Sequence, residues 1–251
     1  MMLPISWRRA ALAGALALAA PGCPGPKSGT DVGNGATVSV KLRAFEPPAA
    51  RAQALALADG ARIDALYMVV ENLVLSPCDG GDDLGVDGPV VADLLTGRVV
   101  AGTSSFDVAS GAYCGFKLTF AKLDPEHVPA GTPPGLADRS ILVQGRRADG
   151  VPFVVASPLG VEVELAPTRS SFTISRGEDP LFLAFDVTPW MAALDLAGST
   201  ADPILVDDQH DTQRLEAFDA AVTLSAHLFR DENADGELSP GEAQPGNELA
   251  D

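Results

Sequence analysis

RIDALYMVVENLVLS, Arg62 to Ser76, decides how the rest of the chain is read. Its apolar residues are β-branched or long and run almost without a break, which an exposed amphipathic helix would not tolerate. The stretch therefore reads as one long strand. Glu71-Asn72 interrupts the apolar run in its middle, and a polar pair at that point predicts a bulge.

Working outward from that strand, the same grammar recurs on both sides. Upstream, TVSVKLRAF (residues 37–45) alternates apolar and polar residues with the period of a half-buried strand, and AARAQALALADG has the composition of one or two helical turns. Downstream, an acidic loop, PCDGGDDLGVDGP, is followed by VVADLL, SSFDVA, AYCGFKLTF, RSILVQGRR, VPFVVAS, VEVEL, SFTIS and LFLAFDV, each a strand by length and pattern. In AYCGFKLTF the period places Cys114, Phe116, Leu118 and Phe120 on one face. RRADGVPF is a strand-turn-strand signal. One helix is expected, with Thr188 as N-cap, Pro189 at the first helical position and Gly198 as its end. Many short strands punctuated by 25 Gly and 20 Pro predict a mainly β fold, an antiparallel sandwich with one or two short helices.

Charge narrows the function. The 251 residues carry 17 basic and 34 acidic side chains, a formal charge of -17. Such a field repels phosphate backbones, so nucleic acid is excluded as a partner, and cations are attracted.

The amino terminus reads as a targeting segment. Arg8 and Arg9 precede the apolar run Ala10–Ala20, which is of signal-peptide length and too short for a permanent span. The small residues before Cys23 resemble a bacterial lipoprotein signal, although Ala20 stands where that family usually has Leu. The resemblance implies cleavage after residue 22, lipidation of Cys23 and a membrane anchor in the cell envelope, at the outer membrane where one exists. The alternative is a secretory signal cut near Ala20. Residues 1–22 are then a signal peptide and 23–36, Gly-rich and polar, a flexible tether. Residues 37–230 form the sandwich domain. Export permits a disulfide, and Cys78 and Cys114 are the pair left once Cys23 carries lipid; two separate thiols are the other reading.

The segment SFDVASGAYCGFKLTF is similar in layout to bacterial lipoprotein domains of transthyretin-like or carbohydrate-binding-like shape. That resemblance implies fold and location, with an envelope protein or glycan as partner, and no activity.

Catalytic constellations are missing: no nucleophile elbow, paired-His helix or phosphate-binding Gly-Lys loop occurs. The chain is not expected to be an enzyme, the rival being a surface hydrolase whose site one sequence does not reveal. Asp207, Asp208, His210 and Asp211 have the mixed donors of a transition-metal or solute site, and Asp79, Asp82, Asp83 and Asp87 those of a weak calcium site. Solvated acidic loops are the favoured reading of both sets. Trp190 and the two Tyr read as packing residues rather than a sugar platform.

The sharpest motif lies near the carboxyl end, in DENADGELSPGE (residues 231–242). Calcium takes six to eight oxygens, and a tight loop delivers them from alternate residues. Counted from Asp231, Asn233 is third, Asp235 fifth, Gly236 sixth, Glu237 seventh, Ser239 ninth and Glu242 twelfth. Asp231, Asp235 and Glu242 would give charged oxygens, Asn233 and Ser239 neutral ones, and Glu237 its carbonyl. Gly236 sits where a sharp turn needs positive φ. The pattern resembles the EF-hand-type calcium loop of bacterial surface proteins and implies calcium as the cofactor. An EF-hand's helices are not expected, because AVTLSAHLF before the loop alternates as a strand, with a helix through Leu215, Phe218 and Val222 left open upstream. Pro245 and Gly246 oppose a helix after the loop. Residues 243–251 read as a disordered tail, with no strand after the loop.

Overall fold

The computed structural model describes residues 35–46, 55–57 and 60–251. The signal peptide, most of the tether and Cys23 lie outside the described residues. In chain order the first strands are β1 (Gly35–Phe45), β2 (Leu55–Ala56), β3 (Arg62–Pro77), β4 (Leu84–Asp93) and β5 (Arg98–Ala101). Next come β6 (Ser105–Ala109), β7 (Gly111–Phe120), β8 (Ile141–Arg146), β9 (Pro152–Ser157) and β10 (Glu162–Leu165). β11 (Phe172–Ile174) and β12 (Gly177–Asp186) precede helix α1 (Thr188–Leu194) and β13 (Ile204–Val206). Helix α2 (Thr212–Thr223), β14 (Ala226–Arg230) and β15 (Glu248–Ala250) complete the fold.

Two sheets pack face to face, as the sandwich reading expects. The smaller has the order β15-β14-β12-β1-β6, and the larger runs β10-β7-β3-β8-β9-β13 with β2, β4, β5 and β11 attached. Most pairs are antiparallel, but β1 with β12 and β13 with β9 are parallel, so both sheets are mixed. Parallel neighbours need a long crossover, and sequence alternation carries no information about strand direction.

β3 is the axis of the large sheet, paired with β2, β4, β7 and β8. Leu66, Met68 and Val70 point into the core, then Leu73 and Leu75, so the buried parity flips across Glu71-Asn72. Both neighbouring ladders shift register there, which is the expected bulge. Val69 is also fully buried, because the 121–140 segment covers the outer face with Leu123 and Leu136. Cover on both faces explains why this strand reads as nearly continuous apolar sequence.

Several boundaries differ from the sequence reading. Leu55–Ala56 is a strand on β3 rather than a helical turn. Half of the acidic loop is strand, since Leu84–Asp87 pairs with Leu75–Asn72. Thr188 lies inside α1, whose N-cap is Val187; the helix ends at Leu194, Asp195 turns left-handed at φ 42°, and a short 3-10 turn reaches Gly198. α2 takes Val222 into the core and leaves Leu224 85% exposed, so the strand before the loop is only β14. Trp190 is core: it packs on Phe185 and Phe218, and its indole N–H donates to Ser225 Oγ at 2.6 Å.

Cys78 and Cys114 form a disulfide with Cα atoms 4.9 Å apart. It joins the ends of neighbouring strands β3 and β7, where the register steps from Ser76↔Gly115 to Pro77↔Tyr113. That step leaves Cys114 unpaired by the ladder and exposed, and turns Tyr113 inward instead. Period-2 counting places Cys114 with Phe116 only if the ladder has no bulge.

The carboxyl end departs most from expectation. Residues 243–251 do not form a disordered tail, because Glu248–Ala250 is a strand paired with β14. Ala250 is fully buried. The same strand exchanges backbone hydrogen bonds with Ala166 and Thr168, next to β10, and so ties the two sheets together.

Candidate metal centre

The loop from Asp231 to Glu242 leaves β14 and returns, through turns at 243–247, to the adjacent β15. Its floor is the outer face of the small sheet. Leu238, 1% exposed, packs into a cluster with Phe45, Phe182, Ala184 and Phe229. These come from β1, β12 and β14, whose inward residues Leu42, Leu183 and Leu228 belong to the main core. Alternation thus gives the sheet a second apolar face, and Leu238 seals it.

The loop's backbone turns where the motif requires. Gly236 has φ 72°, and Ala234 adopts the same left-handed region at φ 55°. Asp231 accepts hydrogen bonds from the Asp235 N–H at 3.2 Å and the Gly236 N–H at 2.8 Å, one on each oxygen. Asp235 Oδ1 accepts from the Glu237 N–H at 2.7 Å, and its Oδ2 from the Asn233 amide at 3.0 Å. Asn233 Oδ1 accepts from the Asp235 N–H at 2.9 Å. Glu242 closes the loop from its far end, accepting from the Glu232 N–H at 3.0 Å and the Ser239 N–H at 2.8 Å. Ser239 Oγ accepts from the Glu242 N–H at 3.3 Å.

Asp231 and Glu242 are each 5% exposed, and both take their hydrogen bonds from backbone N–H groups. Each of their oxygens keeps a second lone pair after these bonds. Among the described residues, no three His, Cys, Asp or Glu side chains converge closely enough to hold an ion. The loop therefore carries the six candidate ligands on one short excursion, and the side-chain oxygens of Asp231, Asn233, Asp235, Ser239 and Glu242 accept from its own N–H groups.

The other candidate clusters disperse. Asp208 pairs with Arg139 at 2.8 Å, Asp211 caps α2 and pairs with Arg214 at 2.9 Å, and Asp207 holds His210 Nδ1 at 2.8 Å. Those residues are spent on capping and surface pairing. Near the disulfide, Asp83 pairs with Lys117 at 3.1 Å; the nearby Ser76 hydroxyl and that lysine hold its carboxyl below the usual range. Asp79 and Asp82 are exposed. His127 is an exposed partner of Asp124 in the Pro-rich loop.

Two features beside the loop escape a reading by motif. His227 projects from the outer face of β14 and hydrogen-bonds Glu248 of β15 across the loop's base. Burial alone would lower the His227 pKa, but Glu248, with Asp186 and Asp251 behind it, raises it above the ordinary histidine value. Lys41 and Arg43 lie beneath the loop on β1. Their signal was present in TVSVKLRAF as two cations on the polar phase of a strand, but nothing local says what covers them.

No family model matches this chain, and no curated protein or solved structure matches it either.

Proposed function

We propose that this chain is an exported, lipid-anchored calcium protein of the bacterial envelope, with a structural or binding role toward an envelope protein or glycan. Asp231, Asn233, Asp235, Ser239 and Glu242 supply side-chain oxygens and Glu237 its carbonyl. The observation that carries the calcium reading is the pair of buried carboxylates, Asp231 and Glu242, set at the two ends of a twelve-residue loop and hydrogen-bonded by backbone N–H groups. A buried carboxylate is costly without a positive counterpart, and a bound divalent cation provides one. Hard oxygen donors suit calcium, whereas magnesium demands a tighter octahedral shell.

Export is supported by the disulfide, which persists in oxidising compartments. Among the described residues no helix is long and apolar enough to cross a membrane. Anchorage therefore rests on the resemblance of the segment around Cys23 to a lipoprotein signal. Two or more acyl chains on Cys23 would hold the domain stably, as a single chain would not.

Calorimetric titration of the full chain with calcium tests the reading. The expected dissociation constant is that of extracellular modules, roughly 0.1 to 1 mM. Asp235→Ala and Glu242→Ala should abolish the heat, and equal heats in all three proteins would return the loop to a solvated acidic segment. Cys23→Ser should release the chain from membranes and stop its processing; unchanged membrane association would remove the lipid anchor.

A further inference from the structure

We propose that Lys41 is a built-in counter-cation of the loop, an affinity-setting residue with which an incoming calcium ion must compete; this rests on the calcium reading above. β1 alternates, so Val40 and Leu42 enter the core while Lys41 and Arg43 face outward beneath residues 231–242. The Lys41 ammonium occupies the place where a β-carbon on residue 236 would stand. Gly236 is required for its positive φ, whereas a β-carbon there would only displace the flexible end of Lys41.

Arg43 does not share the role. Its guanidinium donates to the Leu95 carbonyl at 2.9 Å and packs against Gly97, at the turn between β4 and β5. It still feels the loop: burial lowers its pKa, and Glu237, Asp93 and Asp235 oppose that shift. Lys41 is the cation seated at the turn itself, beside the fifth and seventh ligand positions. Asp231, Glu232, Asp235, Glu237 and Glu242 crowd into twelve residues, and a compact ammonium relieves their mutual repulsion in the absence of metal.

The consequence has two opposite signs. Without metal, the Lys41 ammonium beside Gly236 would offset the charge of the acidic loop at longer range than a direct ion pair. A bound divalent ion and the same ammonium would repel each other, the more strongly the less solvent lies between them. Removing the charge should loosen the empty loop and tighten the filled one. A residue that merely supports the fold would weaken both.

The test compares wild type, Lys41→Met and Lys41→Arg as full chains. Calcium affinity is read by calorimetry, and protease nicking of the loop is followed in chelator. Lys41→Met should bind calcium about five- to twentyfold more tightly and be nicked faster in chelator, with protection restored by calcium. Lys41→Arg should stay within about twofold of wild type, because its charge is retained. Lys41→Gln, with a neutral polar end, serves if the methionine variant melts early. Unchanged or weaker calcium binding in both neutral variants would overturn the role of Lys41 and leave the calcium site standing. Absence of heat in all the proteins, wild type included, would remove the site and this inference together.

Discussion

Two acidic, glycine-rich segments stand at different places on this sandwich, and only one buries any of its carboxylates, Asp231 and Glu242. Asp79 and Asp82, beyond β3, are exposed, and Asp83 makes a surface pair with Lys117. Their segment is fixed by a covalent bond, Cys78 to Cys114, and by the pairing of Leu84–Asp87 with β3. The segment from Asp231 to Glu242 has no covalent tie. It is held by Leu238 against the sheet, by N–H groups on its buried carboxylates, and by the paired strands at both ends. Composition alone does not make a cation site. Two buried carboxylates and an apolar floor under Leu238 distinguish the second segment from the first.

The covalent tie should give the largest effect when broken. Cys78→Ala with Cys114→Ala opens a loop with a sequence separation of 36. Chain entropy predicts a loss of about 3 to 4 kcal/mol in unfolding free energy. Chemical denaturation reads it, and calcium heats should be unchanged once the variant is folded. A loss of calcium binding in that variant would mean that the two segments are coupled.

Leu238→Ala attacks the floor of the other segment. Truncating a leucine that is 1% exposed should cost about 2 to 3 kcal/mol. Part of that loss is local, so protease nicking of the loop should rise more than the global transition shifts. Asp82→Asn, in the exposed segment, should move neither stability nor calcium binding. If Leu238→Ala leaves nicking unchanged, the apolar seal does not hold the loop.

The smallest effect is expected from pH. The His227 pKa is raised in the folded chain, so the stability it contributes is fully present below the unfolded histidine value, near 6.5. That contribution is lost as pH rises through the higher folded value. The loss should concentrate on β15, which His227 grips through Glu248. Hydrogen exchange of Leu249 and Ala250 should therefore quicken across that window beyond the intrinsic rise in exchange. His227→Gln should flatten this excess, and an equal profile in wild type would dissociate the pair from the strand.

Much was legible in the sequence because it is local. The periodicity of Arg62–Ser76 gives a strand, and its polar interruption gives the bulge, since a register step must show as a break in the apolar phase. The turn glycine and the ligand spacing at 231–242 are local for the same reason, as a twelve-residue loop is built within itself. Tertiary structure decided the rest. β15 has three residues, too few for any period to declare, and it exists because β14 and Ala166–Thr168 offer it unpaired backbone on two sides. Cys114 left the face its period assigned because the partner strand is one residue out of step. Lys41 lies almost two hundred residues before the loop it meets. That contact follows from β12 lying between β1 and β14, and strand order is a property of packed sheets which no single strand encodes.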